Sequence, residues 1–392
     1  MSASSSPPPA PAPDPANTPL RGVAGWLRSD EARDAALPAV AFVVAVHVLA
    51  FAVASVASFA ATVPPTGVDL ATTWTHWDVG QYLGIAAEGY SATVSPERIV
   101  FFPLLPALVR IGSILAPPLV VASAVSAVAT IVGVVGVYRL ARIDGSRTIA
   151  RWSVVFLLAY PASFSLVAPY TEALFLAAAA WSLVFARTAA AGSAGVAGFL
   201  AALARLQGIF LVPALVLEAW RIRSGRGLAV LAALLPLAAF GVYLALNLVV
   251  FGDALAFLRM QRLYWFHENA PPWVVIGELV DGILAGPSNG DWATVVVAPL
   301  LAFGLLAVTA AWTLLSRRSR PSYAVYAILT LVTLATLTWP ISVPRYILGV
   351  IPVFLMLGGL GRWPRLAAVL ALASAACMVV LAVVWLTGGW AF

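Results

Sequence analysis

Apolar residues run in long blocks from about position 37 to the end of the chain, and the breaks between blocks are short and polar. Apolar blocks of roughly 17–25 residues match the length a helix needs to cross a bilayer. Such spans are predicted at 37–62, 118–138, 152–168, 171–187, 228–250, 293–315, 322–338, 346–361 and 366–387. Two shorter blocks follow the fourth span, at 193–205 and 208–220. Each gives about 20 Å of helix, too little to cross alone. The piece "FFPLLPALVRIGSILAPP" is too short and too proline-rich for a free span, and reads as a re-entrant or interfacial helix. The pattern therefore predicts an all-α polytopic bundle of about eleven helices, with no alternation of the β-barrel kind. Residues 1–36 open with a run rich in Pro, Ala and Ser and are expected to form a disordered tail. Residues 37–392 are expected to form one domain, interrupted by two long polar stretches at 63–117 and 251–291.

Composition supports the membrane reading: 62% of the residues are hydrophobic and 10% charged, more apolar surface than a soluble domain can bury. All 22 basic residues are Arg; with the heavy use of Ala, Val and Gly, this points to a GC-rich bacterial genome. The net charge of +6 is not a nucleic-acid signature, because the arginines sit in short clusters between apolar blocks. Arg21, Arg28 and Arg33 place the N-terminus in the cytoplasm, and Arg139, Arg142, Arg147 and Arg151 fall on the same side. By parity, both long polar stretches are extracytoplasmic on a bacterial cell membrane. The single cysteine, Cys377, lies in an apolar block and leaves no room for disulfides or a zinc cluster.

Polar residues then converge on the extracytoplasmic side, where ionisable groups in a bundle mark a pathway or a site. In "THWDVGQYLGIAAEGY", Asp78, Gln81, Tyr82 and Ile85 follow a helical repeat, framed by His76, Trp77 and Glu88. Asp78 is either a carboxylate favoured at a helix start or a general base at a water-poor interface. Arg205 and Gln207 lie where two short helices meet, and Arg345 and Tyr346 lie in the proline-broken "WPISVPRYILG". Each arginine can snorkel to headgroups or clamp a phosphate. Tyr170 and Glu172 occupy another proline-marked turn, and Arg262 and His267 lie in an aromatic loop suited to an interface belt or to sugar stacking. No Gly-rich phosphate loop, HExxH, GxSxG or outer Asp-x-Asp occurs. No metal ligands are assigned, and the sequence leaves divalent-metal dependence undetermined.

Six motifs in order resemble the PIG-V family of GPI mannosyltransferases and their bacterial relatives: "HWDVGQYLGIAAEGY" with "FFPLLPALVR", "YPASFSLVAPYTEALF", "ARLQGIFLVPALVLEAW", "FGDALAFLRMQ" and "PRYILGVIPVFLML". The resemblance is collinear over roughly 37–360. Where the family commonly has Arg-Trp-Asp, this chain has His76-Trp77-Asp78. The resemblance implies the GT-C fold and inverting transfer of a sugar, with mannose expected, from a polyprenyl-phosphate donor. It puts Asp78 in the place of the catalytic base. GPI anchors are not expected in a bacterium, so the implied acceptor is a glycolipid, a lipoglycan or a protein.

The chemistry fits the residues. A phosphate leaving group needs positive charge rather than a protonating acid, so one base with Arg205 and Arg345 at the phosphate suffices. His76, Trp77, Gln81, Tyr82, Tyr170, Glu172, Gln207, Arg262, His267 and Tyr346 are the expected substrate contacts. Membrane lipids surround the chain, and no nucleic acid is expected as a partner. The rival class is a lipid or glycolipid transporter or flippase, which needs polar residues spread through the midplane toward both faces.

Overall fold

The computed structural model describes residues 29–60, 70–287, 290–317 and 319–392. Residues 1–28 of the expected tail and 63–69 of the first polar stretch lie outside the described residues. The longer helices are α1 Leu37–Ala60, α2 Asp78–Glu88, α3 Leu104–Gly112, α4 Pro118–Asp144, α5 Arg147–Ala159, α6 Glu172–Arg187, α7 Ala191–Ala204 and α8 Leu211–Ala219. They continue with α9 Arg226–Ala233, α10 Leu235–Phe251, α11 Ala256–Trp265, α12 Pro272–Ala285, α13 Ala298–Leu315, α14 Pro321–Ala335, α15 Ile351–Gly358 and α16 Pro364–Leu386. Among the described residues the only strand-like pairing is a bridge between Asn269 and Leu337.

The fold is all-helical, with a multi-pass membrane architecture. Every predicted span carries helix, but fewer cross alone than the pattern implied. Among the described residues, five helices are long and apolar enough to cross a membrane: Ala32–Ser58, Pro118–Asp144, Arg226–Phe251, Ala293–Leu315 and Pro364–Leu386. A sixth arises if the pair Val343–Gly349 and Ile351–Arg362, bent by 77°, is one broken span. The predicted span 152–168 is instead α5, which stops at Ala159, ahead of Tyr160-Pro161. Proline disfavours helical backbone in the residue before it, and Tyr160 is extended, with φ −62° and ψ 141°. The first helix starts at residue 30 rather than 37. Its polar first turns are held by ion pairs of Glu31 with Arg139 and of Asp34 with Arg147 and Arg151, partners that hydropathy cannot see. The stretch 251–291, expected as loop, contains α11 and α12.

Small residues let the central helices approach. α4 packs most extensively on α6. A Cβ on Gly133 would meet Leu176 and the Ala177 backbone nitrogen at 3.0–3.1 Å, and one on Gly136 would meet the Ala180 Cβ at 2.9 Å. This close approach substitutes for the hydrophobic drive that lipid does not supply.

The charges divide between two poles. At one, Arg139, Arg147 and Arg151 pair with Glu31 and Asp34 in the turns ahead of α1, and Arg187 pairs with Asp144 at 2.5 Å and Glu218 at 3.8 Å. Tyr323 and Ser322 at the start of α14 donate hydrogen bonds to Asp144 and Glu218. α4 leads from that arginine pole to the other end over about 40 Å. There the two long polar stretches pack together: α11 lies on the turn 96–100 and Phe101 meets Trp265 edge-on at 5.4 Å, while Tyr243 on α10 donates to the Ile99 carbonyl at 2.7 Å.

Candidate functional site

Asp78 opens α2 after a strained residue. Trp77 has φ 54° and ψ −127°, a conformation costing about 1–3 kcal/mol for a residue with a Cβ. Its indole N–H donates to the Gly389 carbonyl at 3.3 Å, and its ring stands edge-on to Trp390 at 4.8 Å. These contacts, made with the segment after α16, hold the turn that aims Asp78 inward.

Arg345 comes from the broken region between α14 and α15. Trp339 ahead of it has φ 57°, and Pro340, Pro344 and Pro352 interrupt helical bonding. Tyrosines satisfy the carbonyls so freed: Tyr160 donates to Pro344 at 3.0 Å and Tyr326 to Gly349 at 2.9 Å. Arg205 sits at the break after α7, in extended backbone with φ −157° and ψ 150°. The chain doubles back tightly there, since a Cβ on Gly208 would lie 2.3 Å from the Ala202 backbone.

These elements assemble a chain of four charges. Arg345 Nη2 donates to Asp78 Oδ2 at 2.8 Å. Arg345 Nε lies 2.9 Å from Glu172 Oε1, and Arg205 Nη1 lies 2.5 Å from the same oxygen. The two contacts to Glu172 are charge pairs without hydrogen-bond alignment. Side-chain exposure rises from 3% at Glu172 and 8% at Arg345 to 12% at Arg205 and 18% at Asp78. Buried charges persist only when paired, and here two guanidiniums balance two carboxylates. Aromatic faces support both cations: Tyr346 lies 4.6 Å from the Arg205 guanidinium carbon, and Tyr170 lies 4.8 Å from that of Arg345. Trp385 on α16 donates to the Tyr170 hydroxyl at 3.0 Å. A second strand of polar contacts joins α2 to Arg205: the Tyr82 hydroxyl lies 3.2 Å from Thr171 Oγ1, which also accepts from Arg205 Nη1 at 3.2 Å. Burial, with the charges of Asp78 and Glu172 adding to it, pushes the Tyr82 phenol above its ordinary range, so it stays a neutral donor.

The quartet borders a cavity of about 360 Å³. Of the sequence-predicted residues, Asp78, Arg205, Arg345, Trp77, Tyr82, Gln207, His267 and Tyr346 line it. The remaining ones do not. Glu172 lies behind the two arginines, and Tyr170 lies beneath Arg345. His76 packs edge-on against Trp385 at 5.8 Å, with its Nε2 3.3 Å from the Leu386 carbonyl oxygen. Gln81 accepts from Arg98 instead. At about 100° per residue it lies on the opposite flank of Asp78 from Tyr82. Arg262 is exposed and pairs with Glu268 at 2.8 Å.

The cavity also includes Trp265 and Phe266 of the aromatic loop around His267, and Thr171, Gln261, Trp339 and Trp390, which the sequence pattern did not single out. Phe266 and Trp339, like Trp77, have positive φ. Three aromatic residues in left-handed backbone thus ring one cavity, and such strain concentrates at functional sites. The segments carrying Phe266 and Trp339 are stitched together: Ala270 N donates to Thr336 O at 2.8 Å and Thr338 N to Glu268 O at 3.0 Å. Burial lowers the His267 imidazole below its ordinary value, against a backbone hydrogen bond with Trp339. The buried indole N–H groups of Trp265 and Trp390 have no acceptor among the described residues. Among the described residues no group of three or more His, Cys, Asp or Glu converges to hold a metal ion.

The arrangement offers one carboxylate with an oxygen, Oδ1, that accepts no hydrogen bond from the described residues, beside two guanidinium edges. It can accept a proton at Asp78 and hold an anion a few ångströms away.

No protein-family model matches the sequence, and neither does any curated protein. Among solved structures the chain is similar to the oligosaccharyltransferase of Archaeoglobus fulgidus. For its complex with Zn and sulfate the identity is 15% and the TM-score 0.47, covering 90% of this chain and 53% of that one. For archaeal oligosaccharyltransferase AglB in complex with an inhibitory peptide and a dolichol-phosphate, the identity is 13% and the TM-score 0.48, covering 90% and 56%. The chain spans about half the length of these structures.

Proposed function

We propose that the chain is an inverting GT-C-type glycosyltransferase that moves a sugar, mannose by the resemblance to PIG-V enzymes, from a polyprenyl-phosphate donor to an extracytoplasmic glycolipid, lipoglycan or protein. The observation that carries this reading is the meeting of Asp78 with Arg345, and through Glu172 with Arg205, at the edge of one cavity. Asp78 takes the proton of the acceptor hydroxyl as that oxygen attacks the anomeric carbon. Arg345 and Arg205 stabilise the charge that builds on the departing phosphate. The aromatic ring of Trp77, Phe266 and Trp339 suits the apolar faces of a sugar, and the apolar residues Phe210, Leu334 and Leu337 suit the start of a polyprenyl chain.

Orientation belongs to the same proposal. The cavity lies at the pole opposite the arginine clusters, which the positive-inside rule puts in the cytoplasm. In a Cys377→Ala background, a cysteine at Ser91 is expected to react with an impermeant thiol reagent outside intact cells, and one at Ser146 is not.

The decisive experiment incubates purified protein with polyprenyl-phosphate-mannose and a membrane lipid extract. Transfer of mannose supports the enzyme. Movement of the lipid between leaflets without transfer would replace it with the transporter reading.

A further inference from the structure

Glu172 is the most buried member of the charge quartet, 3% exposed, and it does not line the cavity. A single oxygen, Oε1, lies within 2.5 Å of Arg205 and 2.9 Å of Arg345, cations brought together from breaks 140 residues apart (345 − 205). Each guanidinium is held between this carboxylate and a tyrosine face. Arg345 is held at Nε by Glu172 and turns its Nη2 to Asp78. An apolar or neutral residue at this depth would leave two arginines mutually repelling at the edge of the cavity.

We propose that Glu172 is a positioning residue that also governs product release. It holds both arginines in register and cancels one of their two charges, so that the phosphate product can leave. The inference rests on the glycosyl-transfer reading above. In the transfer step the acceptor oxygen bonds to the anomeric carbon, and its proton goes to Asp78. The bond from that carbon to the phosphate oxygen breaks with its electron pair on the phosphate. One negative charge thus disappears from Asp78 and appears on the leaving group, while Arg345 is in reach of both. Before the step the four side chains sum to zero. After it they sum to +1 beside a phosphate that has gained one negative charge. Without Glu172 the sum after the step is +2, the arginines are free to close on the product, and release slows.

A merely structural role and this one predict opposite changes in product affinity. The test uses the full-length purified protein, with polyprenyl-phosphate-mannose as donor and polyprenyl phosphate as inhibitor. In Glu172→Gln, turnover is expected to fall about 10²-fold, while inhibition by polyprenyl phosphate tightens by roughly 5–10-fold, the effect of one uncancelled charge at partly screened range. Glu172→Asp keeps the charge but cannot reach both arginines. It is expected to lose turnover while product inhibition stays within about twofold of wild type, and it serves as the informative variant if the Gln form does not fold. Glu88→Gln, which breaks only the exposed pair with Arg98, is the control. Weaker product inhibition in a folded Gln variant, unchanged turnover and inhibition, or tightened inhibition in the Asp variant would overturn the proposal. If the wild type transfers no sugar, the glycosyl-transfer reading itself falls and this inference falls with it.

Discussion

Arg345 donates to Asp78 at 2.8 Å across 267 positions of sequence, tying the first turn of α2 to the broken helix near the C-terminal end. One residue therefore touches the candidate base and belongs to the candidate phosphate clamp. This makes the site's substitutions separable by charge and by shape.

Asp78→Asn retains an acceptor for Arg345 and a good helix-start residue but cannot take a proton. Turnover is expected to fall by about 10²–10⁴-fold, with only a modest loss of thermal stability, because Arg345 keeps its pair with Glu172. Transfer rates measured beside Glu88→Gln decide it: near-wild-type activity in the Asn variant removes Asp78 from the base role.

Arg205→Ala and Arg345→Ala should each lose about 2–4 kcal/mol of transition-state stabilisation, the scale of one preorganised donor at a developing charge. Arg345→Ala should also destabilise the fold by about 3–5 kcal/mol, because it strands Asp78 and leaves the buried Glu172 with Arg205 alone. Lysine at either position is expected to restore stability more than activity, since it lacks the planar fork. kcat/KM and melting temperature are read together, and full activity in both alanine variants excludes the clamp.

The arginine pole gives the opposite signature. Arg187, 6% exposed, pairs with Asp144 and Glu218 far from the cavity. Arg187→Ala should lower stability by about 3–5 kcal/mol and leave the donor KM within twofold. A large change in KM in the folded variant would show that the two poles are coupled.

His267 supplies a pH dependence. Its imidazole is lowered from 6.5 by burial, so the folded protein binds this proton less readily than the unfolded chain. The stability it contributes is complete above about pH 6.5 and is lost as pH falls from there through the depressed folded value. Between about pH 7.5 and 5.5, the wild type should lose more thermal stability than His267→Gln, by less than about 1.4 kcal/mol per pH unit for one proton. Parallel curves would place His267 outside this linkage.

The helices were readable in the sequence because a spanning helix must be continuously apolar, and α4, α13 and α16 stand close to their predicted limits. Arg205 and Arg345 were readable because they stand at breaks on the side where arginines are otherwise scarce. What was not readable is pairing. Nothing near Glu172 says that its carboxylate faces two arginines rather than a substrate. Nothing near Trp390 says that the segment after α16 returns to meet Trp77 edge-on. His76 adjoins the tryptophan and carboxylate of the motif, yet it packs away from the cavity, against Trp385. These outcomes depend on contacts between distant positions, which hydropathy and local spacing do not encode.

The balance of two guanidiniums and two carboxylates has a kinetic consequence. A cluster with no net charge casts little field beyond a Debye length of about 8 Å at physiological salt, so it cannot draw an anionic lipid in from afar as a charged funnel does. Encounter then depends on sideways diffusion within the bilayer and on the shape of the entrance. The capture rate should hardly respond to ionic strength, even though the proposed clamp holds its phosphate by charge.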